Sequence, residues 1–118
     1  GYLEKVLSSS VVYGNTFEDA LNINYFSMIF DALKLFPSFQ AKMLEIERYE
    51  LDSWKKIIST ARTSGEIKTP MTDEQIAKIF IYTNDGISLR SIMMKVNPKE
   101  SVSIMQALWD SFYEELKA

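Results

Sequence analysis

The stretch TNDGISLR, residues 83–90, decides the fold class of this chain. Asn-Asp-Gly is typical of a tight β-hairpin turn, but a glycine can also lie inside a helix. Mostly apolar residues around it recur at helical spacing on one face, and the repeat keeps its phase through the glycine: Ile76, Phe80, Thr83, Ile87 and Met94. A hairpin would break that phase, so we predict a helix. Glycine inside a helix costs ~1 kcal/mol relative to alanine, so Gly86 needs a compensating role.

The same helical spacing runs through the rest of the chain and is interrupted by prolines, glycines and polar loops. Pro37 ends one helix because it pushes the residue before it out of the helical region. Gly65 is suited to end the next helix. Helix starts are expected at Asn15 or Thr16, at Ser38 and at Thr72 or Asp73, whose side chains can cap them. No segment alternates with period two, so we predict one all-α domain, residues 1–118, with helices at about 2–7, 17–36, 38–64, 73–95 and 98–117.

The composition excludes several function classes. The formal net charge is −3 with no basic patch, which argues against nucleic-acid binding by this chain. The absence of Cys and His removes thiolate metal sites, the commonest metal ligand and the commonest general base. We therefore expect no catalytic residues, no metal and no cofactor. No apolar run is long enough to span a membrane, and a cytoplasmic protein is the expectation.

A second apolar stripe lies on the far side of each of the last two helices. A helix that is apolar on two sides needs a second partner, either the rest of a larger domain or another chain. Since 118 residues leave little material to cover a second side, we predict a homodimer in which these helices form a four-helix bundle. Small residues in the stripes would allow close backbone approach, which gives Gly86 a role. The predicted interface comprises Ile79, Tyr82, Gly86, Leu89, Met93, Ile104, Ala107, Leu108 and Ser111.

The region from about residue 17 to the end resembles the regulatory domain of TetR-like transcriptional repressors. The resemblance rests on the upstream LKLFPSFQAKMLEIE segment and on Trp54, Ile57, Ile58, Gly65-Glu66-Ile67, Ala77, Phe80, Asp85-Gly86 and Leu89. It implies a helical domain that dimerises through its last two helices, encloses a small-molecule effector and couples effector binding to DNA release. The helix-turn-helix domain of that family is missing, and residues 1–12 are expected to be a remnant of the connecting helix. DNA would then be bound only through the absent domain.

The candidate ligand pocket follows from the two helices at 17–36 and 38–64. The first is apolar over most of its circumference, so we expect it to be central. The second carries Glu50 inside an apolar stripe, provided that the helix does not kink near Glu45. Glu50 could anchor a cationic or hydrogen-bonding ligand, form a salt bridge with one of three arginines (Arg48, Arg62 or Arg90), or turn into water. The candidate ligand-binding residues are Phe26, Phe30, Met43, Ile46, Glu50, Trp54, Phe80 and Thr83; aromatic residues in such a stripe more often belong to the core than to a pocket wall.

Two functions remain open from the sequence. The first is the effector-sensing and dimerisation domain of a transcriptional regulator. The alternative is a helical protein–protein interaction module that binds a partner through the face carrying Tyr82, Gly86 and Leu89. A closed cavity in a symmetric dimer favours the sensor, and a groove on a monomer favours the interaction module.

Overall fold

A computed structural model describes residues 1–8 and 23–118 of the chain. This part contains five helical segments and no strand, which confirms the all-α prediction. Its only extended pairing is an isolated antiparallel bridge between Ile67 and Lys117. The predicted loop at 14–16 and the predicted helix start at Phe17 lie outside the described residues. The helices are α1 (2–8), α2 (Ile23–Leu35), α3 (Pro37–Thr63), α4 (Asp73–Met93) and α5 (Pro98–Leu116).

The junction between α2 and α3 consists of one extended residue. Phe36 has φ −125° and ψ 101°, and Pro37 is the first residue of α3. The expectation that Ser38 caps this helix is wrong, because the proline starts the helix one residue earlier and Ser38 lies within it. The 27 residues of α3 form one helix, which answers the open question of a kink near Glu45.

The loop between α3 and α4 is fixed by local hydrogen bonds that the sequence predicts in part. Gly65 has φ +80°, and the Gly65 and Glu66 N–H groups donate to the carbonyls of Arg62 and Ala61, a Schellman motif. Thr72 and Gln75 form a reciprocal capping box at the start of α4. The predictions for Gly65 and Thr72 are therefore confirmed.

The stretch TNDGISLR lies wholly inside α4, so the helix prediction is confirmed. Gly86 is exposed, and a Cβ atom there would meet no heavy atom within 4 Å, so packing within the chain does not require glycine. The helix ends at Met93, two residues before the predicted end, and Lys95 follows with a φ of 55°. Asn97 then caps α5 by accepting a hydrogen bond from the Lys99 N–H.

The hydrophobic core lies among α1, α3, α4 and α5. Trp54 stacks on Phe80 with ring centroids 5.1 Å apart, and Trp109 meets both rings edge-on at 5.7 and 5.5 Å. Met94, predicted to continue the core stripe of α4, is 62% exposed because it falls after the helix end. The fully buried members of the core include Leu3, Leu7, Ile58, Ile76, Phe80 and Leu116.

Glu66 connects three parts of this fold through one buried carboxylate. It accepts hydrogen bonds from the Leu3 N–H at 2.9 Å and the Glu4 N–H at 3.1 Å, at the start of α1. It also accepts the Tyr113 hydroxyl of α5 at 2.7 Å. Burial acts to raise the pKa of Glu66, but these hydrogen bonds and the nearby Gly1 amino group lower it below its ordinary value.

The helix α2 lies outside the core. None of residues 24–35 is buried, so the expectation of a central, surrounded helix is wrong for the described part of this helix. An apolar circumference can line a groove or face a partner as well as fill a core, and periodicity alone does not separate these cases. No helix within the described residues is long and apolar enough to cross a membrane.

Candidate functional site

A groove of about 630 Å³ runs between α2, α3 and α4 and is open to solvent. Its walls are mainly aromatic and aliphatic, and they belong to helices that are separate in sequence but adjacent in space. This combination of apolar walls and a few polar groups is typical of small-molecule sites. The lining residues are Tyr25, Phe26, Ile29 and Phe30 of α2; Gln40, Met43, Leu44, Ile46, Glu47 and Glu50 of α3; and Ile81, Tyr82, Asp85, Ser88 and Leu89 of α4.

Three carboxylates lie within this largely apolar groove. Glu47 and Glu50 are one turn apart on α3, and Asp85 is on α4. Desolvation by the groove walls raises the pKa of Glu50, and the negative charges of Asp85 and Glu47 raise it further. Desolvation likewise raises the pKa of Asp85, with the charge of Glu47 adding to the effect. The groove therefore destabilises the ionised form of two of its own acids.

No basic side chain neutralises these acids in the part of the chain that the structure describes. The ion pairs of that part join Gly1 with Glu4 and Glu66, Arg62 with Asp73, and Lys117 with Glu114. Arg62 is one of the three arginines that could have paired with Glu50. It pairs instead with Asp73 at 3.1 Å and also donates hydrogen bonds to the carbonyls of Thr69 and Met71. Among the described residues, Glu47, Glu50 and Asp85 therefore have no ion-pair partner.

One tyrosine links the two walls of the groove. The Tyr82 hydroxyl on α4 donates to Oε1 of Glu47 on α3 at 3.1 Å. This hydrogen bond raises the pKa of Tyr82, so the phenol stays protonated and keeps donating. Ser88 is buried and its hydroxyl donates to the carbonyl of Asn84, one turn back in α4, so it does not reach Glu47 or Asp85.

The structure brings five of the eight candidate ligand-binding residues together on the groove wall: Phe26, Phe30, Met43, Ile46 and Glu50. Trp54 and Phe80 lie in the aromatic cluster of the core instead, and Thr83 is half-buried on α4 outside the groove lining. An apolar stripe does not show whether a residue belongs to the core or to the pocket, because that depends on where the neighbouring helices lie.

The sequence interpretation missed Glu47, Asp85 and Ile81 as groove residues. The signal for the two α4 residues was available in the helical spacing, because Ile81, Asp85 and Ser88 lie on one side of α4 at i, i+4 and i+7. Tyr82 and Leu89 were assigned to the dimer interface, and they also line the groove.

The predicted dimer face is exposed in the single chain. All nine residues assigned to it have exposed side chains or, for Gly86, an exposed backbone: Ile79, Tyr82, Gly86, Leu89, Met93, Ile104, Ala107, Leu108 and Ser111. Apolar residues in such a row are unusual on a monomer surface. The homodimer itself stays a prediction.

In the part of the chain that the structure describes, no group of three or more acidic side chains is placed so that it could hold a metal ion. Comparisons with protein-family models, with curated proteins and with solved structures found no match for this chain.

Proposed function

We propose that this chain is an effector-sensing and dimerisation domain of the TetR-like regulator type, and that its effector is a small amphiphilic cation. The observation that carries the proposal is the groove between α2, α3 and α4, which combines apolar walls with three acids that have no cationic partner among the described residues.

The apolar walls supply affinity without strong selectivity. Phe26, Phe30, Met43 and Ile46 present aromatic and aliphatic surface to the groove, and burying such surface against a ligand is favourable by about 25 cal/mol per Å². An aromatic or branched apolar body satisfies these walls whatever its charge.

The acids supply the selectivity. Glu50 and Asp85 are partly desolvated and repel each other and Glu47, which raises the pKa of both. A ligand cation would reduce this repulsion, whereas an anion would increase it. Cation binding should be fully present above the raised pKa values and weaken as the pH falls through them, because protonation removes the attraction.

Dimerisation belongs to the same proposal. The exposed apolar rows on α4 and α5 would be covered by the equivalent rows of a second copy. Tyr82 and Leu89 lie both on this face and in the groove, so occupancy of the groove and contact between copies would share two side chains. DNA recognition would reside in a domain outside residues 1–118.

One observation favours the alternative of a protein-interaction module. The groove is open, and α2 has no buried residue among 24–35, so an amphipathic helix of a partner could also lie there. The affinity for a small cation distinguishes the two functions. A groove that binds a partner helix spreads its contacts along that helix, so a single small cation should bind to it only weakly.

The test is a calorimetric titration with two ions of matched size and opposite charge, tetraphenylphosphonium and tetraphenylborate. We expect tetraphenylphosphonium to bind one site per chain and to bind more weakly at pH 5 than at pH 8. Glu50→Gln should weaken it about fivefold, the worth of one partly exposed ion pair. The double variant with Asp85→Asn should weaken it about 25-fold.

Glu45→Gln is the matched control, because Glu45 is an exposed acid of α3 that does not line the groove. It removes the same charge and should change the affinity less than twofold. Equal losses for Glu45→Gln and Glu50→Gln would mean that only net charge matters, and tighter binding of tetraphenylborate would contradict the proposal.

A further inference from the structure

The helix α2 combines an apolar sequence with unusually little burial. Nine of its 13 residues are apolar, yet none of residues 24–35 is buried. Among the described helices it packs mainly against α3, and its side chains Tyr25, Phe26, Ile29 and Phe30 form one wall of the groove. A helix with few buried apolar contacts lies at the low end of local stability and can move while the core stays folded.

The α2–α3 junction can act as a hinge without loss of hydrogen bonds. The Phe36 N–H donates to the Ala32 carbonyl of α2, and the Phe36 carbonyl accepts from the Phe39 N–H of α3. The φ and ψ bonds of Phe36 lie between these two groups, so rotation about them moves α2 relative to α3 and breaks neither bond. Pro37 has no N–H to tie the first residue of α3 back to α2, and it keeps Phe36 extended.

We propose that α2 is a hinged lid that swings about Phe36 toward α4 and closes the groove over a bound amphiphilic cation. The proposal rests on the proposed function of the groove and adds how the site is shut. The facing wall offers Ile81, Tyr82 and Leu89 to the apolar side of α2 and to the ligand between them.

Closure is favoured by the groups that it removes from water. Tyr25 and Phe30 are exposed on α2, so closing the groove buries apolar surface of this wall. Excluding water also strengthens the attraction between the cation and the carboxylates of Glu50 and Asp85, because the local dielectric constant falls. Without a cation, closure would bury these like charges against each other and is opposed.

The size of the movement follows from the helix geometry. A rotation of about 20°, within the spread of one backbone basin, is available to Phe36 without leaving the extended region. Ser27 lies nine residues from the hinge, a lever of about 14 Å at 1.5 Å per residue. Its distance to α4 should therefore shorten by about 5 Å on closure.

The test measures distances between spin labels in the full chain, which has no native cysteine. Ser27→Cys with Arg90→Cys reports α2 against α4, and Asp52→Cys with Arg90→Cys reports α3 against α4 as a reference. All three sites are exposed and none lines the groove. Labelled chain is diluted into excess unlabelled chain, so that contacts between copies contribute no signal.

We expect the α2–α4 distance distribution of the free protein to be broader than the α3–α4 reference. Tetraphenylphosphonium should narrow it and shorten its mean by about 5 Å, and should leave the reference pair unchanged. Glu50→Gln with Asp85→Asn removes the charges that oppose closure, so in this variant the α2–α4 distance should already be short without ligand and should change little when tetraphenylphosphonium is added.

These measurements distinguish a failure of the lid from a failure of the proposed function. If calorimetry shows binding while the α2–α4 distance stays unchanged, the lid is overturned and the proposed function stands. If tetraphenylphosphonium does not bind, the proposed function fails, and a free-state distribution as narrow as the reference overturns the lid as well. A narrow α2–α4 distribution that broadens when the protein is diluted to monomer would assign α2 to an interface between copies and would overturn the lid.

Discussion

Replacing Glu66 tests how the fold holds α1 against α5. Its side chain is only 8% exposed and accepts three hydrogen bonds, from two α1 amides and from the Tyr113 hydroxyl. Glu66→Ala leaves all three donors without their acceptor. At about 1 kcal/mol for each bond, we expect a loss of about 3 kcal/mol in the free energy of unfolding. Glu66→Gln keeps an acceptor oxygen and should cost about half as much.

Thermal denaturation followed by circular dichroism measures this loss. A chain of this length shifts its melting temperature by about 4 °C per kcal/mol, so Glu66→Ala should melt about 12 °C lower. Glu115→Ala is the control, because it removes an exposed acid of α5. In a double-mutant cycle with Tyr113→Phe, the two losses should fall short of additivity by about 1 kcal/mol.

The pH dependence of stability is a second test of the role of Glu66. Because the folded-state pKa of Glu66 lies below its ordinary value of 4.5, its contribution is present above pH 4.5 and is lost as the pH falls through the folded-state pKa. The difference between wild type and Glu66→Gln should therefore be full at pH 7 and shrink below pH 4.5. A melting temperature for Glu66→Ala within 2 °C of the Glu115→Ala value at pH 7 would refute the reasoning.

Single substitutions at Lys95 and Glu50, and a double substitution on α5, should change stability and assembly measurably. Lys95→Gly should raise the melting temperature by about 4 °C, because Lys95 has a φ of 55°, whereas Lys99→Gly inside α5 should lower it. Glu50→Gln should raise the melting temperature at pH 7 and lose this advantage by pH 4, because the folded-state pKa of Glu50 is raised and its ionised form is the destabilised one. Ile104→Glu with Leu108→Lys should give a monomer by light scattering while leaving the groove intact; a wild type that is monomeric at micromolar concentration would contradict the dimer.

The helices could be predicted from the sequence because their ends are set by local chemistry. Pro37 removes an N–H and restricts its neighbour, Gly65 adopts a positive φ, and Thr72 caps through its own side chain. Each of these effects acts within a few residues, so it can be recognised directly in the sequence. The same applies to TNDGISLR, where the phase of the surrounding apolar residues outweighs the turn propensity of Asn-Asp-Gly.

The candidate site could be predicted only in part, because apolar spacing shows which face is apolar and not what covers it. Trp54 and Phe26 carry the same signal, yet the first is stacked in the core and the second lines the groove. Asp85 gains its significance from two glutamates more than 30 residues away on α3. The role of Glu66 likewise depends on partners 63 and 47 residues distant, which no local pattern indicates.

The location of the bound cation tests the central claim most directly. Amide chemical shifts of the isotope-labelled chain, titrated with tetraphenylphosphonium, report where the ligand lies. We predict that the largest shifts fall on the groove residues of α2, α3 and α4, centred on Glu50 and Asp85. In the double variant Glu50→Gln with Asp85→Asn, about 25-fold more ligand should be needed to produce them. Shifts that fall instead on the α5 face around Leu108, or that persist unchanged in the double variant, would contradict a cation site in this groove.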